Sequence, residues 1–115
     1  MKIKTRMIGY NIIWLDDIRE VPQKLKDNKE YNVIHVRNFD QFVKYIETKG
    51  LPNFISFDHD LGEEKDGYDC AKFLVQYCMN KDCDIPEYEI HSANPVGAKN
   101  ISSYLNCYHR SFYNS

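Results

Sequence analysis

Short apolar runs alternate with segments of helical period, and three of those runs end abruptly in charged or polar residues. Ile12-Ile13-Trp14-Leu15 ends in Asp16-Asp17, Phe54-Ile55-Ser56-Phe57 ends in Asp58-His59-Asp60, and Tyr88-Glu89-Ile90 ends in His91-Ser92-Ala93-Asn94. Strand-like runs separated by helical patterns predict βα units and a parallel sheet. In an open sheet of that kind the ligand site lies beyond the carboxyl ends of the strands. The three endings are therefore expected to surround one polar cleft.

The helices between these runs carry their own signals. Pro22 favours the first helical position, so a short helix is expected from there, with Asp16 to Val21 left as loop. A helix begun at Asp17 would hold Pro22 five residues in, at a cost of roughly 3 kcal/mol. The second strand is Asn32 to Val36. Asn38 and Gln41 then have the spacing of a capping box, and Phe39, Phe42, Val43 and Ile46 form an apolar stripe that Gly50-Leu51-Pro52 stops. The third strand is Asn53 to Phe57. Asp66 caps a helix starting at Gly67, whose stripe is Ala71, Leu74, Val75 and Cys78. The fourth strand is Tyr88 to His91, Asn94-Pro95 opens the last helix, and Ile101, Tyr104, Leu105 and Tyr108 line it. Beyond Tyr108 a short edge strand or a tail is expected.

At 115 residues the chain is expected to be one domain, with its core between about residues 11 and 108. A 43% hydrophobic and 28% charged composition belongs to a globular chain rather than a disordered one. The net charge of -2 provides no whole-molecule attraction to nucleic acid or anionic lipid, so a phosphate would have to be held locally. No apolar run approaches the roughly 20 residues that cross a bilayer, and Met1 to Arg6 do not open a signal peptide. A cytoplasmic protein with no membrane partner is expected. Cys70, Cys78, Cys83 and Cys107 form no C-x-x-C pair, which disfavours zinc and favours free thiols.

Asp16, Asp17 and Asp58 together would place three carboxylates in one cleft, where they repel unless a cation neutralises them. Mg²⁺, or Mn²⁺ in its place, suits such an oxygen-ligand site and keeps waters for a phosphate to displace. Arg19 either balances the carboxylates or clamps a substrate. His59 and His91 at two convergent strand ends suit general acid–base chemistry, with Asp60 beside them as a third catalytic candidate. Ser92 and the amides around Asn94, at a helix amino-terminus, suit a phosphoryl group. His35 and His109 are expected to be structural or solvated, and Trp14 to be core packing.

Trp14-Leu15-Asp16-Asp17-x-Arg19-x-x-Pro22, Phe57-Asp58-His59-Asp60-Leu61-Gly62, Gly67-Tyr68-Asp69 and His91-Ser92-Ala93-Asn94-Pro95-Val96-Gly97 resemble the cyclic-phosphate-processing receiver-like family. The resemblance spans about Ile12 to Leu105. It implies a three-layer, flavodoxin-like α/β fold with strand order 2-1-3-4 and a fifth strand short or absent. It also implies processing of cyclic phosphates, such as 2′,3′-cyclic ends of RNA or cyclic nucleotides. The related signalling receivers carry an acidic pair, a phospho-accepting Asp and a Ser/Thr, which Asp16, Asp17, Asp58 and Ser92 match. Their Lys has no match here, and the loop from Asp58 to Gly67 is one residue longer than the usual receiver spacing.

The favoured expectation is a metal-assisted phosphoesterase acting on cyclic phosphates. Two alternatives stay open: a module that binds cyclic nucleotides without turnover, and a divergent signalling receiver phosphorylated on Asp58.

Overall fold

The computed structural model describes residues 9–114; the basic segment Met1 to Arg6, where no signal peptide is expected, lies outside them. The elements run β1 (Tyr10–Leu15), α1 (Gln23–Asp27), β2 (Tyr31–Val36), α2 (Phe39–Lys49), β3 (Phe54–Phe57), α3 (Gly67–Lys81), β4 (Glu87–Ile90) and α4 (Pro95–Asn114). The four strands are parallel in the order β2-β1-β3-β4, the order that the family resemblance implies.

Strand alternation sorts the side chains onto two faces. Ile13, Leu15, Ile34, Val36, Ile55 and Phe57 face a core completed by Phe42 and Ile46 of α2, by Leu74, Val75 and Cys78 of α3, and by Ile101 and Leu105 of α4. Ile12 and Trp14, also buried, point to the opposite face. Right-handed crossovers put α1 there, because β2 and β3 lie on opposite sides of β1. That third layer is a helix of only 5 residues, so a groove remains between Tyr10, Ile12 and Trp14 on the sheet and Pro22 and Leu25 at α1.

The helix caps follow the expected chemistry. Asn38 accepts from the Gln41 amide, and Asp66 and Asp69 form a full capping box at the start of α3. One expectation fails at the end of the chain. The residues after Tyr108 do not form a strand or an unstructured tail but continue α4 to Asn114. Tyr108 and Phe112, four apart, bring their rings within 6.1 Å on one helix face, tilted by 41°, and His109 Nδ1 meets Asp84 Oδ2 at 2.7 Å. All four cysteines are free, and burial raises the Cys78 thiol to about 12. Among the described residues no helix is long and apolar enough to cross a membrane.

Candidate functional site

The strand register decides which polar residues meet. Trp14 pairs with Ser56, and Ser56 with Glu89. Two residues further along, Asp16, Asp58 and His91 fall in line on the same face. Backbone bonds carry the ladder that far: the Asp58 amide donates to Leu15 oxygen at 3.0 Å and the His91 amide to Phe57 oxygen at 2.9 Å. Asp16, Asp58 and His91 each offer one ligand atom, and those atoms lie within 4.8 Å of one another.

Asp16 is 1% exposed yet fully engaged. Its Oδ1 accepts from the Ile18 and Arg19 amides at 2.9 and 2.8 Å, which folds the loop after β1 around it. Its Oδ2 meets His91 Nε2 at 2.9 Å and Arg19 Nε at 3.1 Å. Burial pushes this carboxyl upward, but the two amides, His91 and the Arg19 charge outweigh it, and its pKa falls below the ordinary carboxylate value. Asp58 differs. Burial and the neighbouring Asp16 charge raise its pKa, and the His59 amide, His91 and Arg19 only partly compensate. Arg19 Nη2 stands 3.7 Å from Asp58 Oδ1, a distance at which it screens the charge without a close hydrogen bond.

A cleft of about 330 Å³ opens over this cluster, lined by Asp16, Asp17, Arg19, Asp58 and Asp60 together with Ile18, Gly62 and Ala93. Five of the expected site residues thus share it. Larger grooves exist elsewhere, at the opposite end of the sheet and along the α1 face, but neither contains the carboxylate cluster. Asp17 lies at the margin of the cleft. It follows Asp16 with the opposite parity, and its carboxylate sits against Gly62, where a Cβ would come within 2.8 Å of Oδ2.

His59 is not brought to the cluster. Its parity is opposite to that of Asp58, so its ring turns toward α3 and α4. Its Nδ1 meets Asp60 Oδ1 at 2.8 Å and its Nε2 lies 3.4 Å from Asp66 Oδ2. The bond from His59 is the largest influence lowering the Asp60 pKa. Two glycines make room for this arrangement: a Cβ on Gly97 would run into the His59 ring, and one on Gly67 into the Asp58 carbonyl oxygen.

The amides near Asn94 are less available to a phosphate than the sequence suggested. The Asn94 amide donates to Ser92 Oγ at 3.0 Å, Pro95 has no N–H, and the Gly97 amide donates to Asn94 Oδ1 at 3.0 Å. Ser92 and Asn94 therefore serve first to open α4, and neither lines the cleft. The Asn94 side-chain amide also reaches Asp60 at 3.4 Å.

Three residues went unrecognised in the sequence. Trp14 is not simply packing: its ring lies parallel to His91, with centroids 3.8 Å apart. Ser56, fully buried, places its hydroxyl 2.8 Å from His91 Nδ1 and 2.8 Å from Glu89 Oε2. A serine inside Phe-Ile-Ser-Phe, two residues before Asp58, was the available signal. His35 also proves closer than expected, its Nε2 lying 2.9 Å from the Asp16 carbonyl oxygen.

A divalent cation fits the donor set. Two buried carboxylates and an imidazole converge, and burial, with the neighbouring Asp16 charge, holds the Asp58 carboxyl at a raised pKa.

Comparison with known proteins agrees with this fold. The family model described as the cyclic-phosphate processing receiver domain matches residues 11–107. No curated protein matches the chain. Twelve solved chains match; one, a fusion carrying the yeast Spc42 trimeric coiled-coil amino acids 181–211, aligns with a TM-score of 0.60 at 18% identity. The alignment covers 90% of this chain and 65% of that one, and at such identity it speaks to the fold alone.

Proposed function

We propose, from the premise that this chain belongs to the cyclic-phosphate processing receiver domain family, that it opens cyclic phosphodiesters by hydrolysis at the Asp16–Asp58–His91 cluster. The substrate class is a 2′,3′-cyclic phosphate, on a nucleotide or at the end of an RNA. Water adds to phosphorus, one ring P–O bond breaks, and the products are a phosphomonoester and a free hydroxyl. The convergence of two buried carboxylates and a histidine within 4.8 Å supports this reading.

Each residue has a task that its surroundings support. Asp16, held by two amides, stays ionised, and together with Asp58 it would hold Mg²⁺ or Mn²⁺. Asp17, at the cleft margin, is the third carboxylate available to such an ion. Such an ion would supply charge for the phosphoryl oxygens and a more acidic water. His91 Nε2, at the cluster, moves the proton between water and leaving oxygen. Arg19 is held by Asp16 Oδ2 at 3.1 Å and by the His91 carbonyl oxygen at 3.2 Å, and its Nη2, 3.7 Å from Asp58 Oδ1, is the nitrogen it can offer a phosphoryl oxygen. Asp60 lines the cleft and is steered by His59, whose part is to position that loop.

The test is to mix the purified chain with 2′,3′-cyclic nucleotides and cyclic-ended RNA, with and without Mg²⁺, and follow phosphorus NMR. Monoester should appear only with the ion. Ligand that binds but returns intact would establish a binding module instead. Phosphate taken up on Asp58 from acetyl phosphate, with no effect on cyclic phosphates, would establish a receiver; among the described residues the cleft offers Arg19, not a lysine, as its cation.

A further inference from the structure

We propose that Ile18 is a specificity-determining residue: it packs against the base of a nucleoside 2′,3′-cyclic phosphate and favours cyclic phosphates that carry one. The inference deepens the reading above and rests on it for the reaction. The polar wall of the cleft is made of aspartates and Arg19. Among the described residues that line it, Ile18 is the one large apolar side chain, and it is 77% exposed. Single apolar side chains on a surface are ordinary and need no explanation. Ile18 is set apart by where it stands and by how it is held. The cleft, about 330 Å³, is larger than a phosphate needs and falls within the size of small-molecule sites.

The loop that carries Ile18 is closed on itself. Asp16 Oδ1 accepts from the Ile18 amide at 2.9 Å and from the Arg19 amide at 2.8 Å. The Arg19 carbonyl oxygen in turn accepts from the Trp14 indole N–H at 3.0 Å. The backbone is thus tied on both sides of Ile18, and a β-branched side chain is stiff at χ1. Little freedom is left for it to lose when a ligand covers it, which favours binding. Arg19 follows directly and lines the same cleft, so a phosphoryl group met by Arg19 brings its ribose and base past Ile18. Ala93, in the loop after β4, lines the cleft from the other side of β3 and is small enough to leave room for a planar base. Apolar area covered on Ile18 then adds to the hold on a nucleoside and adds nothing for a ligand without a base.

The test uses the full chain with Mg²⁺, labelled at its isoleucine methyls, and two ligands: adenosine 2′,3′-cyclic phosphate, and glycerol 1,2-cyclic phosphate, which has no base. In NMR the Ile18 methyl should shift strongly with the first and far less with the second. In kinetics Ile18→Ala should raise KM for the adenosine substrate about tenfold with kcat unchanged, as loss of a contact made equally in ground and transition states does. The glycerol substrate should be handled as by wild type. Ile18 buries little, so the variant should melt as wild type does. Met79→Ala, another exposed apolar residue, near the far end of α3, should change neither substrate. Of the free nucleotide and a cyclic-ended RNA, the one with the lower wild-type KM identifies the source of the base. A wild-type KM for the adenosine substrate in Ile18→Ala would overturn the inference and leave the hydrolysis standing. An Ile18 methyl shift with neither ligand opened would keep the contact and remove the hydrolysis. Binding of neither ligand would overturn both.

Discussion

The imidazole of His91 lies flat on the indole of Trp14, with ring centroids 3.8 Å apart and planes 4° from parallel. Trp14 is the only tryptophan in the chain, so tryptophan emission reports on the surroundings of this ring, the His91 contact among them. His91→Ala should change the intensity of Trp14 fluorescence, whereas His109→Ala, at the far end of α4, should not. An identical emission spectrum in His91→Ala would mean that the rings do not touch in solution.

Asp58 predicts an unusual pH response. Its folded pKa is raised by burial and by Asp16, so in this site the folded chain binds a proton more readily than the unfolded chain. Stability from this group is thus greatest below the unfolded carboxylate value and is lost as pH rises through the folded value. Asp58→Asn removes the charge and keeps an acceptor for the His59 amide. Without metal, it should raise the melting temperature at neutral pH by a few degrees, about what 1 kcal/mol does in a domain of this size. The gain should shrink as pH falls. A melting temperature lowered at neutral pH would contradict the assignment. Asp16 has the opposite sign: its lowered pKa stabilises above the unfolded value and is lost on acidification through the folded one.

Gly67 and Gly97 should differ in their tolerance of a methyl group. In Gly97→Ala the new Cβ meets a side-chain ring that can shift, at a cost of about 1–3 kcal/mol. In Gly67→Ala it meets the backbone carbonyl of Asp58, and the amide of residue 67 is itself bonded to the His59 carbonyl at 2.7 Å. Thermal denaturation should show the larger loss for Gly67→Ala. The reverse order would mean that the loop after β3 is free to move.

Divalent metal should stabilise the fold by occupying the cluster. At 100 times its Kd, an ion bound only by the folded state adds about 2.7 kcal/mol. Mg²⁺ or Mn²⁺ should therefore raise the melting temperature, and Asp16→Asn or Asp58→Asn should abolish the rise. Asp69→Asn, at the α3 cap, should melt lower but keep it. A melting curve indifferent to both ions at millimolar concentration would remove the metal from the account.

The parallel sheet was legible because apolar runs, caps and prolines all agreed, whereas its strand order came from the family resemblance. Asp16, Asp58 and His91 were legible too, since each stands at or just past a strand end. Their neighbours were not. Asp17 and His59 differ from the cluster residues by one position, and side chains one position apart leave opposite faces, so their placement depends on a register no single run displays. Ser56 and Glu89 were hidden inside strands, where polar residues read as exceptions until Trp14, Ser56 and Glu89 are set side by side. The extension of α4 was missed because the stripe after Tyr108 rests on Phe112 alone, without a further aliphatic residue to mark it.

The central claim is that His91, at the carboxylate cluster, moves the proton in cyclic-phosphate opening. It is tested most directly by comparing wild type, His91→Ala, His59→Ala and His109→Ala under saturating Mg²⁺, measuring both turnover and binding of a 2′,3′-cyclic nucleotide. His91→Ala should lose about 10²- to 10⁴-fold in turnover while still binding. His59→Ala should lose far less, and His109→Ala nothing. Full turnover in His91→Ala, or a loss confined to His59→Ala, would contradict the site assigned to this chain.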